Sequence, residues 1–353
     1  MKAPRFQQNS PFYEELKINV AKYFTERKIS QTGGSRLLGK ALLLISILLL
    51  SYLALVLGSP SLGIAILFWL IISLSFIAIG FNVMHDGGHG SFSNYKLVNK
   101  LASYSLSIMG GSSQMWNLKH NVLHHTFTNL DGIDDDIAVN PFMRMCKQQK
   151  KYKLHRFQHI YFVFLYSLLY FWWIFYMDFY KYFSKKIGDF DIPKMSIKQH
   201  LGFWGSKIGY ILMFIVIPIY TLGFKNFIIG YIVFLVCTGL VISLVFQLAH
   251  TVEETEFPET INNRLESDWA THQIKTTANF APNNKLISWY VGGLNYQIEH
   301  HLFPQISHIH YPKIRPIIKN VCEKYNVNYH EYPSMIKALA SHVRYLKLMG
   351  TVN

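Results

Sequence analysis

The chain alternates long uncharged apolar runs with polar stretches rich in Lys and Arg, and the lengths of the runs predict helices that cross a bilayer. The uncharged runs Ala41 to Gly58 and Leu62 to Met84 are each long enough to span, and a short Ser-Pro-Ser turn joins them. That pattern predicts a helical hairpin with both ends on one side. Ile208 to Phe224 and Phe227 to Ala249 predict a second hairpin, whose turn carries a single charge, Lys225. A fifth run, 160–177, is also uncharged, but more than half of it is Tyr, Phe or Trp, a composition suited to a helix lying among lipid headgroups.

Half of the residues are hydrophobic and 16% are aromatic, which agrees with a membrane protein. The net charge of +14 is broken up by the apolar runs, so it fits cytoplasmic loops and anionic headgroups rather than nucleic acid. Eight Lys or Arg fall within 1–40 and nine within 85–159, placing both termini and the intervening polar segments in the cytoplasm. The segment 1–40 contains no stretch resembling a cleavable export signal. Cys146, Cys237 and Cys322 form no C-x-x-C pair, so neither a disulfide framework nor a cysteine zinc site is expected.

The chemistry-bearing residues are histidines. Of 16, none precedes His85, and the groups fall beside membrane exits: His85 and His89, then His120, His124 and His125, then His300 and His301. On an α-helix, residues four apart share a face, so His85 with His89 and His120 with His124 can each aim two imidazoles at one volume. Adjacent His124 and His125 diverge by about 100°, which suits two neighbouring metals. A lone histidine is ordinarily a hydrogen-bonded or solvated side chain. Three groups returning to one membrane face are not explained by packing, because unpartnered imidazoles gain nothing in a core. His250, at the end of the fourth run, joins them by position. Eight candidate ligands exceed what one zinc needs and suit two metals, and imidazole accommodates iron, copper and zinc alike. If 160–177 crossed the bilayer, the groups before and after it would face opposite sides, so four spans with an interfacial fifth helix are expected.

His85-Asp-Gly-Gly-His89, His120-Asn-Val-Leu-His124-His125 and Gln297-Ile-Glu-His300-His301 resemble the three histidine boxes of membrane fatty acid desaturases. The glutamine opening box three, Thr128-Asn129 and the acidic run Asp134-Asp135-Asp136 are similar to the front-end and bacterial linoleoyl-CoA desaturase-like group. The resemblance covers roughly residues 40 to 315. It implies two iron ions, O2 as co-substrate, and a cis double bond introduced into an unsaturated acyl-CoA or acyl-lipid at a delta-6 or delta-5 position. A histidine-box hydroxylase or ketolase acting on a lipid or carotenoid is the alternative. Many eukaryotic front-end desaturases carry a fused cytochrome b5 domain with a His-Pro-Gly-Gly motif; this chain has no such motif. The expected donor is therefore separate, a ferredoxin or free cytochrome b5 with its reductase.

The expected architecture is an all-α integral membrane protein: four transmembrane helices in two hairpins, with a cytoplasmic helical cap holding a di-iron site, in a bacterial inner membrane. Its divisions are a cytoplasmic N-terminal segment 1–40, a desaturase domain 41–315 and a cytoplasmic C-terminal segment 316–353. Gln297 is expected to hold a metal-bound water or touch substrate, and Asp86 to orient a ligand imidazole. His155, His159, His200, His272, His308, His310, His330 and His342 receive no metal role.

Overall fold

The computed structural model describes residues 3–8 and 10–352. It is mostly helical, with only two pairs of two-residue strands among the described residues, 186–187 against 190–191 and 279–280 against 331–332.

Five helices among the described residues are long and apolar enough to cross a membrane: Gly34–Leu57, Leu62–His89, Lys153–Ser184, Ile197–Leu222 and Phe224–His250. They include the two expected hairpins but overrun the expected ends. The helix expected from Ala41 begins at Gly34, the one expected to stop at Met84 continues to His89, and the one expected from Ile208 starts at Ile197. Polar side chains such as Arg36, Lys40 and Lys198 lie on these extra turns. The boundary drawn at 40/41 therefore falls inside the first helix, and that at 315/316 inside the helix Tyr311–Lys324.

Leu42, Leu43, Leu49, Leu50, Ile64 and Leu67 are exposed on the first hairpin, an apolar surface suited to acyl chains rather than water. The opposite face packs. Gly230 allows Leu62–His89 and Phe224–His250 to meet, because a Cβ there would lie 2.0 Å from the buried ring of Trp69. Ser73 and Thr238 share a hydrogen bond of 2.8 Å across the same contact. In lipid, where no water can satisfy a hydroxyl, such a pair fixes the register of two helices.

Lys153–Ser184 packs against Phe224–His250 at Gly239, where a Cβ would come within 2.5 Å of Ser167 O. Near its start, Gln158 hydrogen-bonds Arg144 and Leu346 O, and toward its middle Tyr166 OH lies 2.9 Å from His342 Nε2. Near its end, Asp178 pairs with Lys207 at 2.7 Å and Lys181 with Asp135 at 2.5 Å.

The terminal segments are packed rather than loose. Phe12, Leu16, Val20 and Phe24 of the helix Pro11–Arg27 form an i, i+4 stripe buried against Ile314, Ile318 and Val321 of Tyr311–Lys324. The helix Met335–Thr351 closes over the start of Lys153–Ser184, with Gly350 against His155 O.

Candidate metal centre

Each histidine group is carried by a local device readable in its glycines or its helix type. In His85-Asp-Gly-Gly-His89 the glycines are steric necessities: a Cβ at Gly87 would lie 2.7 Å from Ser103 N, and one at Gly88 2.3 Å from the Trp116 ring. The second group sits on Asn117–His124, a stretch of i→i+5 hydrogen bonding that widens the turn. Before the third group, Gly292 and Gly293 adopt φ of +61° and +68°, and Gly292 lies so close to Phe81 O that a Cβ would meet it at 2.4 Å. That approach seats Gln297–Leu302 beside the end of the Leu62–His89 helix.

The eight expected ligands converge. Ligand atoms of His85, His89, His120 and His300 lie within 4.8 Å of one another, and so do those of His124, His250 and His301. His125 stands between the two sets, its ring centroid 4.7 Å from His89, 4.6 Å from His300 and 4.4 Å from His301. His120 Nε2 is 3.2 Å from His85 Nε2 and 3.3 Å from His125 Nε2. The wide turn explains the last distance, because residues five apart become face neighbours.

Four of the eight imidazoles are anchored through Nδ1. His124 Nδ1 lies 3.1 Å from Asp134 Oδ2, His250 Nδ1 3.2 Å from Thr276 O, His300 Nδ1 3.2 Å from Tyr311 OH and His301 Nδ1 2.8 Å from Gln273 Oε1. Their Nε2 atoms, with that of His89, are buried and have no hydrogen-bond partner among the described residues. Such orphaned acceptors are costly unless something else binds them. One nitrogen fixed from outside and the other free inside is how protein imidazoles hold a metal, so this donor set fits metal ions. Burial and neighbouring imidazoles hold His120, His125, His300 and His301 well below the usual histidine range, which keeps them neutral and able to coordinate. For His124 burial also acts downward, but Asp134 and Asp136 outweigh it and the net shift is upward.

Asp86 and Gln297 are both buried. Asp86 Oδ2 accepts from Ser307 at 2.7 Å and lies 3.0 Å from His308 Nδ1, tying box one to the loop after box three. Its side chain makes no hydrogen bond to a box histidine among the described residues. Gln297 Nε2 donates to Leu294 O at 2.8 Å. The groups that meet box imidazoles and His250 from outside include Asp134, Gln273, Tyr311 and the carbonyl of Thr276. Only Asp134 carried a signal in sequence, as part of the acidic run. Asn129, at φ +59°, adds a junction: its side chain donates to His250 O at 2.8 Å and its backbone N–H to Asp134 Oδ2 at 2.9 Å.

The histidines given no metal role stay outside both sets. His155 donates to Pro141 O, His200 pairs with Tyr182, and His342 bridges Tyr166 and Thr251. His272 is buried edge-on to Phe6 at 5.3 Å, and burial lowers it to about 4.

Residues 60–333 match the fatty acid desaturase family model. The chain is 36% identical over 347 residues to the sn-1 linoleoyl-lipid 6-desaturase of Arthrospira platensis, covering 98% of this chain and 94% of that protein. It is also 36% identical to the protein of that name from Synechocystis, covering 98% and 97%. An acyl-lipid (8-3)-desaturase of Physcomitrium patens is 34% identical, covering 97% of this chain and 72% of that protein.

Proposed function

The chain belongs to the fatty acid desaturase family, and from that premise we propose an iron-dependent front-end desaturase whose two metals sit in the histidine cavity. The enzyme is an oxidoreductase that desaturates an acyl chain, of the delta-6 type, with an acyl-lipid or acyl-CoA as substrate. The observation that carries the metal assignment is the convergence of the two histidine sets, with inward Nε2 atoms at His124, His250, His300 and His301 whose opposite nitrogens are anchored. His85, His89, His120 and His300 would hold one iron, His124, His250 and His301 the other, and His125 stands where it can serve either.

The chemistry an iron pair supplies when bound is the reductive activation of O2, which no side-chain acid or base can replace for an unactivated methylene. Overall, two hydrogens leave adjacent methylenes, and with two electrons and two protons they convert O2 to two waters. The chain's own work is positioning. Asp134, Gln273, Tyr311 and the Thr276 carbonyl fix the imidazole planes, and the glycine contacts hold the three boxes together. Asp86 acts as a positioning residue through Ser307 and His308, and Gln297, one turn before the box-three pair, faces bound water or substrate.

The membrane reading is four spans, with Lys153–Ser184 interfacial and the metal centre and both termini cytoplasmic, in a bacterial inner membrane. Parity supports it, since box two and His250 lie in one cluster and an even number of crossings must separate them. So do the tethers of Lys153–Ser184 to the cap around the histidines, from Tyr166 near its middle to His342 and from Lys181 near its end to Asp135. The electron donor is a separate acidic carrier, ferredoxin or cytochrome b5 with its reductase.

Metal analysis of purified protein tests the assignment. About two irons per chain are expected, and His→Ala at a box position should lower iron content and abolish desaturation. Fully active protein containing zinc alone would overturn it.

A further inference from the structure

A cleft of about 480 Å³ opens between the helices Pro11–Arg27 and Tyr311–Lys324. Lys22, Arg27 and Lys313 line it against a single carboxylate, Glu26, and Tyr23 and Ile317 give it an apolar floor. All three cations are exposed. Glu26 lies 3.7 Å from Lys22, which leaves the lining with three cations to one carboxylate, and the Arg27 guanidinium covers the Tyr23 ring at 4.4 Å. A cationic concavity with an aromatic floor favours a partner presenting carboxylates around an apolar centre.

A second observation connects the cleft to the metal centre. The Tyr23 and Phe24 rings lie 5.1 Å apart, and Phe24 meets His310 edge-on at 5.1 Å. His310 is bonded to Tyr311, whose hydroxyl is 3.2 Å from His300 Nδ1. The cleft residues Lys313 and Ile317 follow Tyr311 by two and six positions, about 3 and 9 Å of helix rise. The exposed cations Lys147 and Lys153 form another basic surface, but among the described residues the ring of Tyr152 there meets only that of His155.

We infer that an acidic one-electron carrier docks in this cleft and that its electron reaches the metal centre through Phe24, His310, Tyr311 and His300. The inference rests on the desaturase reading. Each docking event oxidises the carrier by one electron and reduces the centre by one. Two events therefore supply the electrons for one double bond, and water supplies the two protons.

The test uses iron-loaded enzyme in detergent or vesicles with an acidic [2Fe–2S] ferredoxin as probe. The triple variant K22E/R27E/K313E should weaken ferredoxin binding about 10-fold or more at low ionic strength, while K147E/K153E changes it far less. Phe24→Leu should slow anaerobic reduction of the enzyme by bound ferredoxin without changing its affinity. Unchanged binding in the triple variant, or equal loss in K147E/K153E, would overturn the docking site. Unchanged reduction in Phe24→Leu would overturn the route. A parallel single turnover separates the two readings, with enzyme reduced anaerobically by dithionite, freed of excess reductant and then given O2 and substrate: wild-type enzyme that desaturates there keeps the desaturase reading whatever the binding result, and enzyme that does not puts the failure in that reading.

Discussion

Asp134→Asn removes a charge from the outer side of one proposed metal site while nearly preserving shape, so its cost can be worked from the contacts. Three N–H groups converge on the buried carboxylate: His124 Nδ1 at 3.1 Å, Asn129 N at 2.9 Å and Asp136 N at 3.1 Å. An amide offers one oxygen in place of two, so at least one of these donors loses its acceptor, at about 1–3 kcal/mol. Losing the carboxylate behind a metal-bound imidazole typically lowers metal affinity about 10- to 100-fold, or about 1.4 to 2.7 kcal/mol at 1.36 kcal/mol per decade. His124 groups with His250 and His301, so one iron should weaken and the other remain. Chelator competition followed by metal analysis reads this directly: iron should fall from two toward one per chain at chelator concentrations that leave wild type loaded. Two irons held with wild-type affinity, or both lost together from protein that is still folded, would refute the reasoning.

Burial depresses His342 to about 4, so it is neutral in the fold and charged in the unfolded chain below the usual value of about 6.5. Its contribution is complete above about pH 6.5 and is lost as the pH falls from there toward 4, to a limit of about 3 kcal/mol. His342→Ala should lower Tm and flatten that acid dependence, leaving iron per folded chain unchanged; an unaltered Tm would contradict the role. Gly292→Ala, which must fit a Cβ at 2.4 Å from Phe81 O with φ at +61°, should destabilise box three by about 1–3 kcal/mol and lower iron retention, seen by thermal unfolding and metal analysis. Cysteine labelling should find Ser59 and Lys225 outside and Lys119, Lys194 and Lys313 in the cytoplasm, and residues 119 and 313 on opposite sides would break the four-span reading.

The two hairpins were legible because uncharged runs of bilayer length have few other uses. Their ends were not, because Gly34–Leu57 and Ile197–Leu222 carry on as polar turns into the cap, where hydropathy stops marking the helix. The histidine clusters were legible from type and spacing, but not how the imidazoles divide. The expectation assumed α-helical angles, whereas Asn117–His124 is wound more widely and brings His120 and His125 together. The orienting residues were hidden by distance along the chain: Gln273 lies 28 positions from His301 and Tyr311 11 from His300. The partner of Asp86 was hidden for the same reason, since sequence shows it beside His85 while its carboxylate meets Ser307, 221 positions away.

The most direct test is to express the chain in a host lacking polyunsaturated lipids, supply linoleate, and locate double bonds by mass spectrometry. The account predicts a new cis double bond between the existing bonds and the carboxyl carbon, at position six, unchanged in its distance from the carboxyl end when longer substrates are supplied. A hydroxylated product, or a new bond that keeps its distance from the methyl end instead, would contradict it.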